Sequence, residues 1–124
     1  MPYLPDNALD ALLNYVQSNV ESLRICSALP SNYTEATTTY LLGTKTSPSV
    51  ATPTNRTPNG REIVVSAISD GSISADGTAS HWALVKDSAT AELLAAGDLA
   101  STQGVSNGNT FTLAQFAIGV PDAV

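Results

Sequence analysis

His81 is the only histidine in the chain and Ser80 precedes it, so hydrolytic chemistry would have to begin there. A nucleophilic serine needs a base within hydrogen-bond reach. Neighbouring side chains in a strand leave opposite faces, so the sequence predicts that Ser80 and His81 are badly placed as a pair. Cys26 is the only cysteine and cannot form a disulfide within the chain. It lies in Leu23-Arg24-Ile25-Cys26, a setting that suits a buried thiol rather than an accessible, electropositive nucleophile. Glu35, Glu62, Asp70, Asp76, Asp87 and Glu92 could meet in space as an acid/base pair, but no spacing singles out two of them. No catalytic residue is assigned.

Metal and cofactor chemistry finds equally little. Zinc sites want several His or Cys ligands, and the chain has one of each, far apart. Asp70-Gly71-Ser72 and Asp76-Gly77-Thr78 lack the ligand spacing of a calcium loop and are expected to be turns. No glycine-rich loop leads into a helix to cradle phosphate, and aromatics are few for a sugar-binding platform. No metal, no cofactor and no enzymatic activity are expected. Lys and Arg number 5 against 11 Asp and Glu, for a net charge of −6. A chain that reads nucleic-acid backbones needs clustered cations, so no nucleic-acid partner is expected. No stretch approaches 18 apolar residues, and Asp6 and Asp10 fall where a signal peptide would be apolar. The expectation is a protein neither secreted by that route nor spanning a membrane.

The 124 residues suit one domain. Leu9, Leu12, Leu13, Val16 and Val20 recur at helical spacing behind Pro5 and Asp6, which predicts one amphipathic helix over 5–20. Its stripe must lie on the domain's own sheet or on a neighbouring subunit. A strand is predicted over 23–27, followed by the Thr-rich tract 34–40. Residues 43–60 hold Pro48, Pro53 and Pro58 among Ser, Thr and Asn, a composition that predicts an extended arm reaching a neighbour.

Residues 61–69, rich in β-branched side chains, give the strongest strand. Asp70-Gly71 and Asp76-Gly77 are expected as turns around a short return strand. Residues 79–86 alternate, with Trp82 and Leu84 on one face and His81, Ala83 and Val85 on the other. A strand over 92–99 enters Gly97-Asp98, although its Ala and Leu content also suits a helix. Asn107-Gly108-Asn109 is a turn before strands at 110–113 and 116–120, with a bulge expected near Ala114-Gln115. Short strands punctuated by glycine indicate a mainly β fold: an antiparallel sandwich or jelly-roll-like barrel with one N-terminal helix and a long extended arm.

Two stretches carry a resemblance. One is Ile25-Cys26-Ser27-Ala28-Leu29-Pro30-Ser31-Asn32-Tyr33-Thr34-Glu35-Ala36; the other pairs GTASHWALVKDSATAELLAAGDL at 77–99 with VSNGNTFTLAQFAIGV at 105–120. Together they resemble small virion structural proteins of tailed bacteriophages, a group of capsid decoration (cement) and tail-fibre-like proteins. The resemblance spans about residues 23–121 and brings no catalytic residues. It implies a virion protein made in the host bacterial cytoplasm. Few charges, many hydroxyls and an acidic balance agree with a surface facing away from packaged DNA. The expectation is therefore a decoration protein on the outer surface of the capsid, binding the major capsid protein, as a homotrimer. Leu9, Leu12, Leu13 and Val16 on the helix and Pro48, Val50, Pro53 and Pro58 on the arm are the candidate interface, with strand edges adding register. A tail, baseplate or fibre component and a sandwich module that binds a glycan or receptor are the alternatives.

Overall fold

The computed structural model describes residues 5–57, 59–88 and 90–120. Helix α1 (Asp6–Asn19) opens the chain, followed by nine strands: β1 (Ser22–Cys26), β2 (Leu41–Thr46), β3 (Thr54–Asn55), β4 (Arg61–Val65), β5 (Ile68–Ile73), β6 (Gly77–Lys86), β7 (Glu92–Val105), β8 (Thr110–Leu113) and β9 (Phe116–Val120). Six strands form one curled antiparallel sheet in the order β7-β6-β1-β2-β5-β8, and β3-β4-β9 form a second. The mainly β, sandwich-like fold with one N-terminal helix is the fold that the glycine-punctuated strands predict.

The core lies where the inward residues of the large sheet meet the small one. Leu23 and Ile25 of β1, Leu84 of β6 and Phe111 of β8 pack with Val65 of β4. Val16 of helix α1 and Val20 after it pack against this core, and the helix also buries Leu9 and Leu13, which are 0% and 2% exposed. Asp6 in its first turn suits the helix dipole. Arg61 of β4 anchors the helix: Nε donates to Asp10 Oδ1 at 2.7 Å and Nη2 to Oδ2 at 3.3 Å. The same guanidinium donates through Nη1 to Asn55 Oδ1 at 2.6 Å, so one side chain joins α1, β3 and β4.

On its other face the large sheet carries a small second core. Cys26, Ala83 and Val85 are covered by Ala36, which lies in a single π-helical turn, Glu35–Thr39. The turn is closed by Tyr40 N–H donating to the Glu35 carbonyl at 2.8 Å. It is started by Asn32 Oδ1, which accepts from Glu35 N–H at 2.8 Å. The alternation of β6 holds over 82–85, with Leu84 in one core and Ala83 and Val85 in the other, but both faces are covered.

Several expectations are corrected. The stretch 61–69 is two strands in different sheets: β4 ends at Val65, and β5 starts at Ile68 after the chain crosses over. Likewise β8 and β9 belong to different sheets, so 114–115 is a crossing and not a bulge. Asp70-Gly71 is no turn but lies inside β5. The arm does not reach out. Residues 43–46 end β2 in the large sheet, Val50 bridges Val65, Ala51 N–H donates to Val64 O and Ser66 N–H to Ser49 O, both at 2.9 Å. The prolines allow an extended path, and the side of β4 away from β9 supplies partners for the backbone of that path.

Glycine placement follows the rings. Gly71 faces Phe111 across the β5–β8 ladder, and a Cβ on it would stand 2.0 Å from Phe111 Cε2. Gly97 faces Trp82 across β6–β7, where a Cβ would stand 2.8 Å from Trp82 Cζ2. In each case the aromatic ring lies over a bare backbone, a recognised way to stabilise glycine in a sheet. Gly71→Ala is expected to cost about 1–3 kcal/mol by overpacking, measured by urea unfolding. In the Phe111→Ala background the added cost of Gly71→Ala should vanish, because the clash has no second party. Leu23→Ala, in contrast, should cost about 2–5 kcal/mol as a simple cavity.

Candidate functional site

Besides the Arg61 tie, two further clusters of polar side chains stand out among the described residues, and an apolar cleft lies beside one of them. The chain runs from β7 through the turn at 106–109 into β8, yet these two strands end opposite sides of the sheet order. The curl brings the two edges to face each other, and the turn joins them at one end. That end is pinned: Ile73 N–H donates to Asn109 O, Gly108 N–H to Ile73 O, and Asn107 N–H to Asp76 Oδ1 at 2.7 Å. Gly108, at φ +91°, supplies the left-handed residue the turn requires. Away from the turn the strands diverge and leave a cleft.

A bulge widens it. Ala79 pairs with Gln103 and His81 with Asp98, so residues 99–102 face Ser80 alone. This excess lifts Leu99, Ala100 and Ser101 away from the ladder. The larger lobe of the cleft has a volume of about 210 Å³ and is floored by Ile25, Ala79 and Phe111. The smaller, about 120 Å³, lies between Trp82, Asp98 and Phe116. Leu99, Ala100, Leu113 and Ala114 line both. Trp82 and Phe116 pack with ring centroids 4.6 Å apart and join the two sheets behind it.

The same bulge explains a second correction. Ser80 and His81 do meet: Ser80 Oγ lies 2.7 Å from His81 Nδ1, and His81 Nε2 lies 2.9 Å from Asp98 Oδ1. Opposite the bulge, Ser80 has no ladder partner and the strict alternation of faces is lost. Ser80 Oγ also donates to the Ser27 carbonyl at 3.0 Å. The hydroxyl has one hydrogen to give, and the Ser27 carbonyl and His81 Nδ1 both lie within its reach. The arrangement ties residue 27, β6 and β7 together.

The other polar cluster sits on the opposite part of β1 and β6. Asp87 accepts from Ser22 Oγ at 2.7 Å, Tyr33 OH at 2.8 Å and Arg24 Nη2 at 3.0 Å. Arg24 reaches on to Ser22 Oγ and Thr44 Oγ1. Beside it Glu21 Oε1 accepts from the backbone N–H groups of Asp87 and Ser88, both at 2.7 Å. Burial pushes the Asp87 carboxyl upward, but the hydrogen bonds from Ser22 and Tyr33 and the Arg24 charge outweigh it and hold it below its ordinary value. Glu21 is also lowered, chiefly by the Ser88 backbone and hydroxyl donors. Tyr33 is raised by its bond to Asp87. Burial pushes the Cys26 thiol up to about 11, and its Sγ donates to Ala36 O. These groups are fully paired and structural in geometry. Among the described residues no cluster of three His, Cys, Asp or Glu side chains could hold a metal.

The interface residues expected from sequence are not brought together. Leu9 and Leu13 are spent on the domain's own core, and Pro48 is buried. Val16 and Val50 pack half-buried against the core. Pro53 is half-buried, with its carbonyl accepting from Arg61. Pro58 lies outside the described residues. Leu12, 58% exposed, is left on the surface with Tyr15, whose hydroxyl donates to Glu92 of β7. The stripe is simply narrower than its five apolar positions suggest, and the small sheet consumes it. The cleft residues Leu99, Ala100, Leu113 and Ala114 were missed, since the signal that marks them, a surplus of residues in one strand, shows only once the register is known.

The fold and the cleft define a small β-sandwich module with an open sheet seam. Compared with known proteins, the chain matches no family model, no curated protein and no solved structure.

Two outcomes are expected from the carboxylate geometry. Glu21 and Asp87 have depressed folded-state values, so their contribution is present above the ordinary carboxylate range, about pH 4. It is lost as pH falls through the folded values. Asp87→Asn should therefore flatten the acid limb of a urea-midpoint series from pH 5 to pH 2. Cys26 should react with a thiol reagent only at the rate of unfolding, and reaction of the native protein within minutes would contradict its burial.

Proposed function

We propose that this protein is a structural component of a bacteriophage particle, a decoration protein that binds the outer surface of the capsid shell. The observation that carries this reading is the open seam: two edge strands face each other over an apolar floor, in a molecule whose polar clusters are paired internally. Exposed sheet edges are normally covered or charged, and an edge beside an apolar cleft is suited to docking onto another polypeptide. The resemblance of residues 25–36, 77–99 and 105–120 to small virion proteins supplies the setting.

In this reading the major capsid protein is the partner, and the contact runs through the seam rather than through the helix stripe and the proline-rich segment. Three copies around a quasi-threefold position would each bind the assembled shell more tightly than free capsid subunits, and so stabilise the particle by mass action. The acidic balance suits the exterior, away from packaged DNA.

Imaging intact particles at residue resolution tests the proposal. Density for this chain over the outer shell is the expected result; density confined to the tail, or absence of the chain from purified particles, overturns it. Particles lacking the protein should also lose infectivity at a lower temperature and recover when purified protein is added back.

A further inference from the structure

The cleft has a chemistry of its own that narrows what can occupy it. Its larger lobe exceeds the roughly 150 Å³ that accommodates a benzene ring in an apolar cavity, which is room for one bulky side chain. The floor is buried and apolar, with Phe111 6% and Ile25 3% exposed. Among the described residues, the only charged one lining either lobe is Asp98, 83% exposed. One of its oxygens is bonded to His81 Nε2, and the other has no partner among the described residues. Neither lobe is lined by a cation, and the molecule carries a net charge of −6. A cationic occupant is therefore complementary, and an acidic one is repelled.

The lips add a constraint on shape. All pairings in the six-stranded sheet are antiparallel, so β7 and β8, its first and last strands, run in opposite directions. Both present main-chain donors and acceptors outward, so an extended chain laid in the seam bonds to at least one of them in antiparallel register. A small apolar molecule would leave those groups unused.

We propose that the seam between β7 and β8 binds an extended segment of a partner protein that carries one Leu- or Phe-sized side chain and, two positions away on the same face, a Lys or Arg. The bulky side chain enters the lobe over Phe111, the cation meets Asp98, and the segment's backbone pairs with a lip. This inference rests on the docking reading above and names the partner's chemistry at the same site.

A random nonapeptide display library selected on the full-length protein tests it, with the enriched peptide then synthesised and titrated by calorimetry and amide NMR. The expected consensus is a bulky apolar residue two positions from Lys or Arg, so that both face the cleft, with shifts concentrated at 99–103 and 111–115. Ala114→Lys alters an exposed lining position and leaves the core untouched. It should weaken binding by about tenfold or more through repulsion of the cation. Asp98→Asn should weaken it severalfold and flatten its salt dependence. No enrichment, an acidic or charge-free consensus, shifts elsewhere, or a cleft filled by a second copy at NMR concentration would each overturn the proposal. Imaging of particles is independent of this outcome: shell density without peptide binding rejects the seam's chemistry and leaves the decoration role standing.

Discussion

Phe111 lies on Gly71 and Trp82 on Gly97, and in each pair any side chain on the glycine would occupy the space of the ring. The two contacts sit near opposite margins of the large sheet, one on β5–β8 and one on β6–β7. Bare backbone beneath a ring lets neighbouring strands coil sharply while the surface stays covered. The curl that follows turns a six-stranded sheet into an incomplete barrel, closed at the turn of 106–109 and open beyond it. The core, the crossing at Trp82 and Phe116, and the seam all depend on that curvature.

Around this frame the charged residues act as ties. Arg61 holds the helix to the small sheet, Arg24 and Asp87 hold the ends of β1 and β6 to Tyr33, and His81 links Asp98 to Ser80. The Arg61 and Arg24 ties join elements distant in sequence and satisfy polar atoms in part-buried surroundings that would otherwise be costly. The large sheet's seam is what this network leaves unbonded.

Local patterns were sufficient for the parts of the fold that depend on local physics. Helix α1, β1, the alternation of β6, the Asn107-Gly108 turn and the buried Cys26 all follow from spacing and propensity. What failed was the meaning of glycine and proline. Gly71 looks like a turn residue because a turn and a ring-covered strand both demand the absence of a side chain, and only the cross-strand partner separates the two. The prolines at 48 and 53 correctly exclude a central strand, yet they permit an edge-following path that is extended and still bound. The meeting of Ser80 with His81 was illegible for a related reason: strand alternation forbids it, and a surplus of residues in the opposite strand restores it.

The position of β1 has a consequence for how the molecule is made. It is the first strand in the chain and lies in the interior of the large sheet, between β2 and β6. On the ribosome, β1 and β2 can form a hairpin early, but the other side of β1 stays bare until β6 has emerged, and β4 waits for β9, the last of the described strands. Non-local pairing of this kind is slow, and an unfinished strand edge is adhesive. Nascent copies on one message therefore hold complementary open strands side by side, so premature pairing between them competes with completion of each single chain.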